Sequence, residues 1–147
     1  MSVDGSTEEE NKRLVLRAFG AMRSREAWVA EHGEFFSSDL AGHFSGMPTV
    51  TFDAHLQSGL AALDAFPDLQ RPVEDLVAEG DRVVARWRSI GTHRGTFQGI
   101  PPTGKQVTMS GITVFRIENA KIVEEWSESD VLGMLQQMGV IPAPNAA

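Results

Sequence analysis

The sequence predicts an α+β fold in which helices pack on one face of a curved antiparallel sheet. Apolar residues recur at helical spacing in the first half of the chain, and β-branched or alternating segments separated by short turns fill most of the second half. Helices followed by a meander of strands are typical of this class. No repeat or change of composition divides the chain, so we expect one domain over residues 1–147, with flexible ends at 1–6 and 142–147.

Capping residues and charge predict the first two helices. Ser6 or Thr7 is expected to cap a helix whose first turn, Glu8–Glu10, suits the positive end of the helix dipole. A second, short helix is expected over Glu26–His32 and should stop at Gly33, because glycine commonly follows a helix end. His32 is then most simply a residue of the last helical turn, where the dipole favours it.

A third helix follows a segment rich in glycine and serine. Ser37–Val50 is expected to be a loop with at most one short strand. Thr51–Ala65 returns to helical spacing, and Pro67 is expected to end that helix.

The second half predicts four strands and a closing helix. The helix is expected from Ser127 to Met138, with Asp130 in its first turn and Gly139 after its end. The turn between the last two strands should hold Ala120 at positive φ, because two-residue hairpin turns need that conformation. The strands are expected at Val73–Ala78, Val83–Thr92, Val107–Ile117 and Lys121–Ser127.

Composition excludes several classes of function. The net charge of −7 argues against a nucleic-acid partner, which would require a basic face. The absence of cysteine excludes disulfides and thiolate zinc sites. No apolar run is long enough to span a membrane, and the cytoplasm is the expected location. No two of the four histidines stand four residues apart, so their spacing predicts no metal site.

Gly99–Lys105 fits the G-x-x-x-x-G-K pattern of phosphate-binding loops, but its context argues against that function. Gln106 stands where such loops carry the serine or threonine that contacts magnesium. Pro101 and Pro102 remove backbone donors that a phosphate would need, and a strand follows instead of a helix. We therefore interpret the segment as a rigid loop at the rim of the sheet.

Strand alternation indicates which side chains face the helices. Arg86 and Arg88 mark the outer face of their strand, which places Trp87, Ser89 and His93 inside. On the next strand, the same reasoning places Met109, Gly111, Thr113 and Phe115 inside. On the last strand, Glu125 and Ser127 share a face. Large inward side chains with small residues between them predict a cavity under the helices.

Five segments together resemble the SnoaL-like polyketide cyclases, which have the cone-shaped NTF2-like fold. The resemblance implies a pocket for a small apolar molecule between helices and sheet, no cofactor, and a homodimer formed through the outer face of the sheet. The segments are A-F-P-D-L at Ala65–Leu69, G-T-H-x-G at Gly91–Gly95, F-x-G-I-P-P-T-G-K at Phe97–Lys105, G-I-x-V-F-R-I at Gly111–Ile117 and K-I-V-E-E-W at Lys121–Trp126.

Two positions depart from the family pattern. Ser127 stands where the ring-closing cyclases carry a catalytic aspartate, and Thr113 stands where they carry a pocket histidine. A serine cannot replace a carboxylate as general base, so the standard aldol cyclisation is not expected. The remaining acids are Glu125 and Asp130. Burial in an apolar cavity makes a carboxylate a better proton acceptor; the alternative for Glu125 is a strand carboxylate paired with an arginine.

Three histidines are further candidates for the site. His93 matches the histidine of G-T-H-x-G, and it either orients and polarises a substrate carbonyl or fixes the loop that follows it. His43 and His55 flank the start of the third helix, where they either reach the mouth of the cone or lie on the surface.

Three functions are compatible with these features. The first is an enzyme that works without a cofactor on an apolar, carbonyl-bearing molecule, with Trp87, Met109 and Phe115 as walls. The second is a non-catalytic protein that binds a small molecule on the same scaffold. The third is an activity of the hydroxylase or epoxide-hydrolase type.

Overall fold

The structure is a computed structural model that describes residues 5–144. Residues 1–4 and 145–147, which belong to the ends expected to be flexible, lie outside the described residues. Over residues 5–144 the elements are α1 (Gly5–Gly20), a 3-10 turn (Ala21–Arg23), α2 (Arg25–Phe35), β1 (Phe36–Phe44), α3 (Phe52–Ala65), β2 (Val73–Glu79), β3 (Arg82–Thr92), β4 (Gln106–Glu118), β5 (Lys121–Ser129) and α4 (Val131–Met138).

The predicted fold class is confirmed. The strands form one curved, unclosed sheet in the order β1-β5-β4-β3-β2, in which β2 to β5 are an antiparallel meander. Helix α1 packs against β2 and β3, α3 packs against α2 and β1, and α4 packs against β4. A core of buried apolar side chains, including Val15, Phe35, Val83 and Ile122, joins the helices to the concave face of the sheet.

Strand β1 lies mostly in the segment Ser37–Val50, where mainly a loop was expected. It runs parallel to β5, and this is the one parallel pairing among the described strands. Its serines and glycine resemble a loop in composition, but the partner strand supplies the hydrogen bonds, and Leu40 is buried while Asp39 faces solvent. Gly42 also exchanges two 2.8 Å backbone hydrogen bonds with Val50.

Three predicted helix boundaries are wrong. Helix α1 begins at Gly5, so Ser6 and Thr7 lie within the helix and do not precede it as a cap. Gly33 lies inside α2, which continues to Phe35, because the side chain of Phe35 is only 2% exposed and its burial extends the helix. The closing helix does not begin at Ser127. Strand β5 continues to Ser129, and Asp130 caps α4 by accepting a 2.9 Å hydrogen bond from the Gly133 amide.

The local signals at α3 and at the last hairpin are confirmed. Thr51 caps α3 by accepting a hydrogen bond from the amide of Ala54, and the helix ends at Ala65, two residues before Pro67. The two-residue turn between β4 and β5 has φ of 50° at Asn119 and 59° at Ala120, as the hairpin geometry requires.

The predicted faces of the sheet are also confirmed. Arg86 and Arg88 are exposed, whereas Trp87, Ser89 and His93 are buried. A β-bulge interrupts the β4–β5 pairing, because Arg116 pairs with Glu124 while Ile117 pairs with Ile122. One extra residue on β5 lets both Ile122 and Glu125 point inward, and Glu125 is 3% exposed.

None of the helices in residues 5–144 has the length and apolar character needed to cross a membrane.

Candidate functional site

A cavity of about 440 Å³ lies between the helices and the concave face of the sheet. Trp87, Met109, Thr113 and Phe115 line it, as predicted, together with Ser127. Gly111 was expected among them, but the Trp87 ring covers it. A β-carbon at Gly111 would collide with that ring. The small residue is therefore needed for the tryptophan to lie against β4 and does not itself form the wall.

Glu125 is the acid that the fold brings to this cavity. Its Oε1 atom lies 2.7 Å from Nε2 of His55, on α3. Apart from this contact, Oε1 has no hydrogen-bond partner among the described residues. The contact is thus a close electrostatic pairing of a buried acid that keeps unused capacity to accept a proton. Glu125 is not paired with an arginine across the sheet, which was the alternative expectation.

His55 is in turn held by His32, which sequence reasoning placed at an ordinary helix end. Nδ1 of His55 lies 3.3 Å from Nε2 of His32, and His32 is 1% exposed among aromatic rings. Burial, with a smaller contribution from the charge of His55, lowers the pKa of His32 to about 4. His32 is therefore neutral at neutral pH. Its ring stacks on Phe36 and meets Phe52 edge-on, which fixes its orientation.

Thr113 and Ser127, which are expected to depart from the family pattern, bond to each other. The hydroxyls of Thr113 and Ser127 lie 2.8 Å apart, and the Trp87 indole donates a 3.0 Å hydrogen bond to the Thr113 oxygen. All three side chains are buried. This small network satisfies its own polar groups and supplies no carboxylate or imidazole, so it cannot move a proton at neutral pH. It holds the wall opposite the helices.

Arg71 is a cavity residue that sequence reasoning missed. It lies between α3 and β2, lines the large cavity, and also lines an adjoining cavity of about 60 Å³. Its guanidinium lies 5.0 Å from the centre of the Trp87 ring and contacts the Ser89 hydroxyl at 3.4 and 3.5 Å. A signal was present in the sequence: Arg71 is the only arginine or lysine between Arg25 and Arg82.

His93 does not belong to the described walls of either cavity. It is fully buried, stacks on Phe66, and its Nδ1 atom accepts a 3.2 Å hydrogen bond from the Thr103 amide. Its backbone also bonds Lys105 and Gly104 at 2.8 Å. These contacts correspond to the second interpretation from the sequence, in which the histidine fixes the loop that follows it.

Three more predicted site residues occupy different places. His43 lies on the outer face of the sheet, where it contacts Glu124 at 2.8 Å and stacks on Trp126, so it does not reach the cavity mouth. Asp130 is exposed and acts as the cap of α4. Ser89 points inward as predicted, but it lines the smaller cavity.

The described residues contain no cluster of three or more histidine, aspartate or glutamate side chains arranged to hold a metal ion. The expectation that the protein works without metal or cofactor stays a prediction.

Comparison with known families identifies one match. The sequence profile of the family described as SnoaL-like polyketide cyclase matches residues 13–138. Comparison with curated proteins gives no significant match.

Several solved structures share the fold over nearly the whole chain. AclR from Streptomyces galilaeus, a proposed hydroxylase, is 29% identical with a TM-score of 0.83, covering 94% of this chain and 86% of its own. A proposed SnoaL-like polyketide cyclase from Jannaschia sp. CCS1 is 26% identical with a TM-score of 0.79, covering 91% and 94%. IdmH from Streptomyces antibioticus, a proposed polyketide cyclase, is 27% identical with a TM-score of 0.76, covering 88% and 98%.

Proposed function

Because the chain belongs to the SnoaL-like polyketide cyclase family, we propose that it is a small-molecule enzyme that uses no cofactor and performs acid/base chemistry on an apolar, carbonyl-bearing, polyketide-like substrate. One observation carries this proposal. Glu125 is an acid that is 3% exposed and lines a cavity walled mainly by apolar and aromatic side chains, and His55 is the only basic side chain within 4.0 Å of its oxygens among the described residues. Such a group is suited to accept a proton from carbon.

The proposed proton transfer uses Glu125 as the base and His55 as its positioning residue. Glu125 accepts a proton from the carbon next to the substrate carbonyl, which leaves an enolate. His55, 2.7 Å from Oε1, holds the carboxylate in place and stabilises its charged form. The neutral ring of His32, 3.3 Å from Nδ1 of His55, orients that imidazole. Aromatic and apolar side chains of the cavity wall surround the reacting atoms.

Standard aldol cyclisation is not part of the proposal. The hydroxyls of Thr113 and Ser127, which the family resemblance aligns with a histidine and an aspartate, are bonded to each other at 2.8 Å. The proposed base, Glu125, lies two residues before Ser127 on the same strand. The Glu125 carboxylate therefore faces a bound substrate from a different point of the cavity wall. This position suits a proton transfer other than the family's ring closure.

Proton abstraction can be tested with a probe in place of the natural substrate. 2-Tetralone is apolar and has acidic C–H groups beside its carbonyl, so NMR in D₂O measures their exchange. We expect wild-type protein to accelerate exchange and Glu125→Gln to lower the catalysed rate by roughly 100-fold or more. Affinity for 2-tetralone should stay nearly unchanged, because the carboxylate acts on the transition state.

Glu124→Gln is the matched control, because Glu124 is the next residue on the same strand and lies on the outer face with Arg116 and His43. It should exchange at the wild-type rate. Wild-type protein no faster than buffer, or Glu125→Gln as fast as wild type, would contradict the proposed base.

Two other functions remain candidates on specific observations. The similarity to AclR, a proposed hydroxylase, at 29% identity supports an activity of the hydroxylase type. The self-satisfied network at Thr113 and Ser127 supports a binding protein that has lost the family's chemistry. Tight binding of 2-tetralone without accelerated exchange would favour these two over proton transfer.

The outer face of the sheet is the proposed surface for a homodimer. Ile112 is 48% exposed there, and Val114 and Trp126 beside it are only half-buried. Sedimentation velocity at about 10 μM should show a dimer, and Ile112→Glu should shift it to monomer because a carboxylate in an apolar interface is costly. A wild-type monomer at this concentration would contradict the pairing.

A further inference from the structure

Arg71 has a position that the proposed proton transfer does not explain. Both cavities include it in their walls, and four further residues are shared between them: Ala62, Phe97, Met109 and Met134. The two cavities therefore adjoin, with Arg71 at their junction. Glu125 lines the large cavity, whereas the described wall of the small one contains no carboxylate.

The charge of Arg71 has no close anionic partner. Among the described residues, no carboxylate lies within 4.0 Å of its guanidinium nitrogens, although ten ion pairs elsewhere on the chain and the His55–Glu125 pair do meet that distance. Its contacts are the Trp87 ring and two long bonds to the Ser89 hydroxyl. Burial lowers the pKa of Arg71 to about 10, against an opposing effect of Glu125, so it stays charged at neutral pH.

The small cavity has room for a compact polar group. Its volume of about 60 Å³ corresponds to roughly two water molecules at their share of liquid volume. Its walls are mostly apolar, with Phe66, Leu69 and Val107 among them, and its polar side chains are Arg71 and Ser89. A fork of N–H donors with an adjacent hydroxyl matches the two oxygens of a carboxylate.

We infer that this site takes a substrate that carries a carboxylate, with the acid group in the small cavity on Arg71 and Ser89 and the apolar body in the large cavity beside Glu125. The inference rests on the proposed function in one respect, namely that the large cavity holds the substrate. The Trp87 ring, which Arg71 covers at 5.0 Å, keeps the guanidinium fixed before the ligand arrives. A partly buried cation that lacks a close protein anion is thus matched by the charge of the ligand.

A matched pair of ligands tests this assignment. 2-Naphthoate and 2-naphthamide have nearly the same shape and differ in charge, and isothermal titration calorimetry measures both affinities. Wild-type protein should bind the acid roughly ten- to a hundredfold more tightly than the amide, as charged hydrogen bonds predict. Arg71→Met should remove that preference, while binding of the amide stays within about threefold.

Two further variants make the result specific. Arg71→Lys keeps the charge but not the two-pronged geometry, so it should retain part of the preference for the acid, and it also serves if Arg71→Met fails to fold. Arg116→Met removes a cation from the outer face and should leave the preference at the wild-type value. Equal affinities for acid and amide in wild-type protein would overturn the inference, and so would a preference that Arg71→Met retains.

The two proposals fail in different ways. Accelerated 2-tetralone exchange together with equal affinities would overturn the carboxylate inference and leave the proton transfer standing. A preference for the acid that depends on Arg71, without exchange, would support the carboxylate site and contradict the base. If neither naphthalene ligand binds, the large cavity is not the ligand site and the inference is overturned.

Discussion

Strand β5 carries two glutamates side by side, and each meets a histidine on an opposite face of the sheet. Inside, Glu125 Oε1 is 2.7 Å from His55 Nε2, and the side chains are 4% and 12% exposed. Outside, Glu124 Oε2 is 2.8 Å from His43 Nε2, and the side chains are 24% and 36% exposed. The two pairs have the same chemical groups at nearly the same distance.

The surroundings of the pairs differ. Outside, Glu124 also contacts Arg116 at 3.1 Å, and its hydrogen bond to His43, supported by Arg116, lowers the pKa of the carboxyl. That acid is held ionised and fully engaged. Inside, Glu125 has a neutral histidine behind its partner and an open cavity in front of it. The two pairs therefore differ in solvent exposure and in their next neighbours, and not in the distance between acid and histidine.

The largest expected contrast is between the two partner histidines. His55→Phe keeps an aromatic ring among Trp28, Phe36 and Phe44 but leaves Glu125 without its partner. We expect the catalysed exchange of 2-tetralone to fall roughly 100- to 1000-fold with little change in affinity. His43→Phe, made on the outer pair, should exchange like wild type. Equal rates for the two variants would show that the inner pair has no role in proton transfer.

The second contrast concerns the pH dependence of stability, which we expect to come from His32 behind the inner pair. The folded pKa of His32, about 4, lies below its ordinary value of 6.5. As pH falls from 6.5 to 4, the unfolded chain takes up a proton at this residue before the folded protein does. Stability is therefore complete above pH 6.5 and falls through this window, by about 3 kcal/mol at most.

Urea unfolding at pH 7 and pH 4 measures this loss. His32→Leu should reduce the pH dependence by that amount. An unchanged pH dependence in His32→Leu would mean that another group causes the acid sensitivity.

A third contrast compares the two faces of β4. Thr113→Val leaves the buried Trp87 N–H and the Ser127 hydroxyl without their shared partner, which should cost about 1–3 kcal/mol. Ser110→Ala removes an exposed hydroxyl from the same strand and should stay within about 0.5 kcal/mol of wild type. Chemical denaturation of both variants tests this difference, and similar losses would show that the inner network adds nothing to stability.

The smallest effect is expected at the turn that joins β4 and β5. Ala120 has a φ of 59°, which a β-carbon disfavours. Ala120→Gly should stabilise the protein by about 1 kcal/mol, a rise of roughly 3 °C in Tm, without changing either pair. Asn119→Gly is the control and should gain less, because asparagine tolerates this conformation. A lower Tm for Ala120→Gly would contradict the strain.

Local patterns in the sequence were sufficient for much of the fold. Helical spacing over Thr51–Ala65 and the proline two residues after its end identify α3, because these signals act within a few residues. Alternation along β3 places Trp87 inside and Arg86 outside, because successive side chains of a strand point to opposite faces. The same rule, with the family motif, identified Glu125 as an inward acid.

Only the tertiary structure decided the partners of these residues. The pairing of β1 with β5, the continuation of α2 through Gly33, and the cover that Trp87 places over Gly111 depend on segments distant in sequence. His55 meets Glu125, and Arg71 reaches the junction of two cavities, because the helices fold across the sheet. Sequence periodicity determines which way a side chain points, whereas the packing of distant elements determines what it meets and how much water remains there.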